Sequence, residues 1–203
     1  MAPTKTIAKA TSLRDKHKNQ TERALRDASL KLFATQGYDA TTTEEIAEKA
    51  GVSARTFFRY FPTKESLLYI GEHDWIQAFT ESLPNQPTSF SDLEALCATI
   101  VELTPRVARR RQSLILFNRA IASSRTLRGL DHDHERDNTI LLAKAVAARR
   151  QRRTPDEACM LLGAITLLAY RRALDIWLNG PSDIELADVV KKEFKVLSEL
   201  FPG

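Results

Sequence analysis

The chain has 203 residues, 43% of them hydrophobic and 28% charged, with 7 Gly, 8 Pro and a formal net charge of +4. That length holds one or two domains with a sizeable core. The shortage of Gly and Pro, and the lack of any sustained apolar/polar alternation, argue against a strand-built protein. Cys97 and Cys159 lie in separate apolar helical patterns, with no disulfide framework, zinc spacing or redox pair, so buried, reduced thiols in a cytoplasmic protein are expected. Residues 1–20 carry no apolar targeting core, and the longest near-apolar run, Ala158 to Tyr170, is too short to cross a bilayer. No membrane partner is expected.

The positive charge is concentrated at the start. Residues 1–20 hold Lys5, Lys9, Arg14, Lys16 and Lys18 against Asp15, so the whole net charge of +4 resides there. The expectation is a disordered basic arm that either follows DNA phosphates or solubilises the chain. A first helix is expected from Thr21, as cap, to Gln36, with Gly37 as breaker.

Residues 41–68 carry the most specific pattern. Thr42 and Thr43 can cap a helix whose inner face is Ile46, Ala47 and Ala50; Gly51 supplies the positive φ of a sharp turn, and Val52 plugs the angle. Ser53 can cap a second helix that runs to Phe61 and stops at Pro62. Two short helices joined in this way form a helix-turn-helix, a unit suited to placing one helix in the DNA major groove. Phe57 and Phe61 are expected in the core, and Phe58 is undecided. Thr63 then caps a further helix reaching about Leu83.

Across residues 21–69 the chain resembles the TetR (tetracycline-repressor) family of transcriptional regulators. The resemblance rests on Ala24, Ala28, Leu32 and Phe33, Gly37-Tyr38, Thr42-Thr43, Ile46-Ala47, Ala50-Gly51-Val52-Ser53, Thr56 to Phe61, and Lys64 to Leu68. It implies an all-α protein, with an N-terminal three-helix helix-turn-helix DNA-binding domain and a C-terminal helical ligand-binding and dimerisation domain. The expected divisions are an arm at 1–20, a DNA-binding domain at 21–66 and a helical effector and dimerisation domain at 67–203. Beyond residue 70 the likeness is one of architecture only.

Pro84 to Thr88 reads as a loop, and Ser91-Asp92 open the next helix, which Pro105 breaks or kinks. The basic run Arg106 to Arg111 leads into an apolar stretch ending at Ile121. Residues 123–130 read as a connector, and a helix is expected from Asp133 to Arg150. Thr154-Pro155-Asp156-Glu157, with Thr154 as a cap followed by Pro and two acids, opens a long helix ending at Gly180-Pro181, and Ser182-Asp183 begin the last. The former is apolar almost all round over residues 158–170 and must be covered on more than one side. The last two helices are therefore expected to form a two-fold, four-helix homodimer interface.

Candidate sites follow. Arg55 is expected to pair with a guanine edge and Ala54 to touch a thymine methyl, with Glu44 a weaker base-edge candidate. Thr43, Thr56, Arg59, Tyr60 and Lys64 can donate to phosphates, and the helix start at Ser53 adds backbone N–H donors. Phe79, Leu96, Ile100, Leu114, Phe117, Ile121, Leu142, Leu162, Ile165, Leu168 and Trp177 either form plain core or line an effector cavity. The effector would be apolar or amphipathic. Arg106, Arg109, Arg110 and Arg111 either meet an anionic head group or form a solvated helix face.

Asp131-His132-Asp133-His134-Glu135 contains metal-ligating residue types. Neighbouring residues on a helix point in different directions, so no metal and no cofactor is expected. The chain shows no nucleophile elbow, phosphate loop or placed acid–base pair, so an enzyme is not expected. The family resemblance implies a ligand-responsive regulator, most naturally a repressor released from a palindromic operator. An activator of the same fold, or an adaptor whose helix-turn-helix binds protein, is the alternative.

Overall fold

The computed structural model describes residues 13–200. Among them are nine α-helices, one short 3-10 turn and no strand. The chain divides into two compact units, the first running to Leu68 and the second starting at Tyr69.

In the first unit, α1 (Leu13–Gln36) packs on α2 (Thr43–Lys49), which packs on α3 (Ala54–Tyr60). α1 begins eight residues before the expected start at Thr21. The Thr21 hydroxyl donates to the His17 carbonyl inside the helix and does not cap it. Residues 13–20 of the expected arm are therefore helical, whereas residues 1–12, with Lys5 and Lys9, lie outside the described residues. Gly37 ends α1 at φ +86°, its N–H donating to the Phe33 carbonyl at 3.1 Å.

The turn between α2 and α3 is fixed by local chemistry. Thr42 accepts from the Glu45 N–H while the Glu45 carboxylate accepts from the Thr42 N–H, a reciprocal capping box. Gly51 takes φ +72°, and the Ser53 hydroxyl oxygen accepts from the Thr56 N–H at 3.1 Å. Ile46, Ala47 and Phe57 are buried beneath this turn, with Phe61 6.1 Å from Phe57 between ring centres.

α4 (Ser66–Ser82) carries the chain from the first unit into the second. It starts three residues after Thr63, whose carbonyl accepts from the Ser66 hydroxyl. The second unit then holds α5 (Asp92–Ala108), α6 (Arg111–Ser123), α7 (Arg125–Arg149), α8 (Glu157–Asn179) and α9 (Leu186–Leu200).

Four expected boundaries are corrected here. Pro105 does not break α5. It removes the N–H that would reach the Val101 carbonyl, and the Thr104 hydroxyl donates to that oxygen instead, at 2.8 Å. Residues 125–130 belong to α7, capped by Ser124, so the stretch 131–135 lies within a helix and not at its start. Asp156, not Thr154, caps α8, and α9 starts at Leu186 after a turn closed by Ile184 N–H to the Pro181 carbonyl.

The core of this unit lies where α7, α8 and α9 meet α5. α7 and α8 cross closely at Gly163, where a Cβ would stand 2.8 Å from the Thr139 carbonyl oxygen and 2.9 Å from the Ala143 nitrogen. Buried Thr99 and Thr166 satisfy their hydroxyls on the carbonyls of Ala95 and Leu162.

Candidate nucleic-acid interface and effector site

The expected DNA-facing residues fall into two sets. Thr43 and Glu44 open α2, and the Thr43 hydroxyl donates to the Glu44 carboxylate at 3.0 Å. Ser53, Ala54, Arg55 and Thr56 form the start of α3, with the Ser53 and Thr56 hydroxyls 3.1 Å apart. Arg55 is exposed and makes no ion pair among the described residues, so its guanidinium projects from α3 uncommitted. Arg59 is exposed and lies 5.0 Å from the ring centre of half-buried Tyr60.

Lys64 sits apart from these. Its ammonium donates to the carbonyl oxygens of Tyr38 and Thr41, both at 2.8 Å, and lies over the Tyr38 ring. Two of its three donors are thus committed to the segment that leads into α2. The Tyr38 hydroxyl donates to Glu65. Burial acts to raise the Glu65 carboxyl, but hydrogen bonds from Tyr38 and Thr63 outweigh it and hold the group below the usual carboxylate range.

Phe58, whose place the sequence leaves open, belongs to this surface. It is 53% exposed, whereas its neighbour Phe57 is fully buried. It follows Arg55 by three positions and Ala54 by four, which puts all three on one face of α3. That spacing was the available signal.

In the second unit, Phe79, Leu96, Ile100, Leu142 and Trp177 are buried in the packed core. Leu114, Phe117, Ile121, Leu162 and Ile165 are half-buried, and the Phe117 ring meets Tyr69 edge-on at 5.9 Å. Leu168 contradicts the expectation of pocket lining: it is 65% exposed, on the outward side of α8. A groove of about 490 Å³ does exist between α5 and α9, but its walls are Phe90, Leu93, Cys97, Val101 and Phe194, with Lys191 and Lys195 at the edge. None of the expected lining residues borders it.

The basic run is divided by the fold. Arg111 donates to the carbonyls of Trp177 and Gly180, both at 2.9 Å, and so caps the C-terminal end of α8. The Arg110 guanidinium fills the space over Gly71 that a side chain would need. Arg106 and Arg109 are exposed.

A polar cluster joins α4, α7 and α8. Arg171 pairs with Asp131 and, at 3.3 Å, with Glu135, while Glu72 accepts from the Asn138 amide. Burial first, and Asp131 next, push the Glu72 carboxyl up to about 7, with Glu135 adding to this and Arg171 and Asn138 opposing it. Tyr170, buried beside it, is pushed upward by burial and by the Glu72 charge. Among the described residues no group of three His, Cys, Asp or Glu side chains is arranged to hold a metal ion.

Comparison with known proteins fits this arrangement. Residues 25–69 match the model of bacterial regulatory proteins of the tetR family, and residues 93–202, more than half of the chain, match that of the MftR C-terminal domain. The HTH-type transcriptional regulator TcmR of Streptomyces glaucescens is 33% identical over 104 residues, 51% of this chain and 46% of TcmR. HbdR of an Aromatoleum strain is 28% identical over 123 residues, 60% of this chain and 54% of HbdR. The chain thus spans about half the length of these curated relatives.

Among solved structures, Thermus thermophilus FadR in complex with lauroyl-CoA superposes with a TM-score of 0.59 at 22% identity, covering 90% of this chain and 95% of FadR. The SmeT–triclosan complex gives 0.62 at 15% identity, covering 89% and 90%. At such identities these two show the fold alone. With one model matching the helix-turn-helix and another the helical body, the chain belongs to the TetR family of bacterial regulatory proteins.

Proposed function

We propose that the protein is a dimeric, ligand-responsive DNA-binding transcriptional regulator, and that it acts as a repressor released from a palindromic operator by a small apolar or amphipathic molecule. The observation that carries the DNA-binding reading is the exposed, uncommitted Arg55 on an α3 whose opposite face is anchored by Phe57. In this reading α3 lies in the major groove. Arg55 reads guanine, Ala54 and Phe58 offer apolar surface to thymine methyls, and Glu44 faces a base edge from α2. Thr43, Ser53, Thr56, Arg59 and Tyr60 hold phosphates and set the register. Lys5 and Lys9 add positive charge ahead of α1 in the sequence.

Dimerisation is supported by the apolar side chains that α8 and α9 leave uncovered. Leu161 and Leu168, seven residues apart on α8, are 62% and 65% exposed, and Ile176 on the same helix and Val196 and Leu200 on α9 are exposed as well. A monomer rarely leaves such a surface to water. Two copies joined there would present two α3 helices to half-sites one helical turn, or a multiple, apart. A ligand that prefers a different spacing of those helices then weakens operator binding. The neighbours described with lauroyl-CoA and triclosan support an apolar or amphipathic effector.

The test is an electrophoretic mobility shift with DNA from upstream of the protein's own gene, titrated with salt and unlabelled competitor. Competitor-resistant binding with two symmetric protected half-sites is expected. Loss of all DNA binding at low salt would favour the adaptor reading. In-cell reporter output distinguishes a repressor from an activator.

A further inference from the structure

The groove between α5 and α9 takes no part in the reading above. Its volume, about 490 Å³, lies within the range of small-molecule sites, about 300–1,000 Å³. Leu93, Cys97 and Val101 recur at every fourth position of α5 and form one wall, about 12 Å long at the rise of a helix. Phe194 of α9 and Phe90, itself 39% exposed, add aromatic surface. None of the residues expected to line the effector cavity borders this groove.

The polar groups at its edge carry a sign. Lys191 and Lys195, one turn apart on α9, both border the groove. Burial pushes the Cys97 thiol up while the Lys191 charge opposes this, so that ammonium stands within electrostatic reach of the apolar wall. The two lysines pair with Asp188 at 3.3 Å and Glu199 at 3.8 Å along the exposed surface of α9. Such exposed pairs are weak, and an ammonium with three donors has others to offer. Glu94, the acid on the wall, is committed elsewhere: its carboxylate accepts from the Ser91 N–H at 2.7 Å and from the Ser91 hydroxyl at 2.8 Å. Val196 and Leu200, the α9 residues offered to the dimer above, lie on a different face of that helix from Lys191, Lys195 and Ser198.

We propose that the groove is a second ligand site and that it takes an amphipathic anion: a carboxylate on an unbranched apolar chain, with the chain along Leu93, Cys97 and Val101 and the head group at the Lys191 and Lys195 ammonium groups. Apolar walls disfavour a wholly polar anion, and two cations at the edge disfavour a cationic head group. An unbranched chain suits a wall that is a single stripe along one helix. The site is separate from the effector cavity and stands or falls without it.

The experiment is alkylation of the two cysteines of the full chain by iodoacetamide at pH 8.5, read by mass spectrometry, in the presence of octanoate, 1-octanol or octylammonium. Half-buried Cys97 lies on the groove wall and reports its occupancy, whereas Cys159, buried in the core, reports only opening of the chain. Octanoate is expected to slow the reaction of Cys97 with a half-protecting concentration about fivefold below that of octanol, and octylammonium to protect more weakly than either. The rate at Cys159 should not change. Lys191→Gln combined with Lys195→Gln should erase the fivefold advantage, and so should salt raised to about 1 M in the parent chain. Equal protection by octanoate and octanol, protection by octylammonium as strong as by octanoate, or an advantage that survives the double substitution would overturn the proposal. So would equal slowing of Cys159, or no protection of Cys97 by any probe.

Discussion

The Lys64 ammonium lies 4.1 Å from the centre of the Tyr38 ring and donates to the carbonyl oxygen of that same residue. With a second bond to Thr41, it ties the segment entering α2 to the residues that lead into α4. Sequence alone suggests a phosphate contact for Lys64, whose replacement would flatten the salt dependence of DNA binding. The geometry favours a positioning role. Lys64→Met is therefore expected to cost about 1–3 kcal/mol of stability through two lost charge-assisted bonds. The salt slope of DNA binding should stay within error. Urea unfolding and a salt titration check both, and an unchanged stability with a slope reduced by about one phosphate would restore the phosphate role.

Arg55→Ala is expected to weaken operator binding by about 1–3 kcal/mol and to relax preference at one base pair in each half-site. Binding to a panel of single-base operator variants measures this. An equal loss on every sequence would make Arg55 a phosphate residue.

Glu72 ties the second unit to pH. Its carboxyl is raised from an ordinary 4.5 to about 7 in the folded protein, so the folded state binds more protons than the unfolded chain between those values. Stability contributed by this group therefore falls as pH rises from about 4.5 to about 7 and is lowest above that window. The loss across the window amounts to roughly 3 kcal/mol. Glu72→Gln should then match the parent protein near pH 4.5 and exceed its stability at pH 8. Thermal melts of both proteins across that range provide the comparison, and a constant difference would mean that Glu72 ionises without cost.

Leu168 is expected to lie at the centre of the dimer. Leu168→Glu should yield monomers in sedimentation velocity with helical content retained. Operator affinity should fall by about a hundredfold or more as the two half-sites cease to be bound together. A variant that remains dimeric would place the interface elsewhere.

The helix-turn-helix was legible because its signals are local. The Thr42 box, Gly51 and the Ser53 cap each act within a few residues. Helix starts in the second unit were harder for a related reason. Ser124 caps α7, but residues 125–135 are polar and lack a clear apolar stripe, so they read as a connector. Pro105 misled because the rescue by the Thr104 hydroxyl is a side-chain event that composition does not announce. Leu168 was misassigned because α8 is apolar nearly all round, and periodicity then cannot say which face turns outward. The tie between Glu72 and Asn138 joins residues 66 apart and was invisible until the fold brought them together.

Sequence-specific DNA binding by a dimer is the central claim. The most direct test is footprinting of the full chain on DNA upstream of its own gene, at several salt concentrations and with competitor present. Two protected half-sites related by a dyad, lost together in Leu168→Glu and weakened at one base pair per half-site in Arg55→Ala, are the predicted result. A single protected half-site bound equally well by Leu168→Glu would contradict that claim.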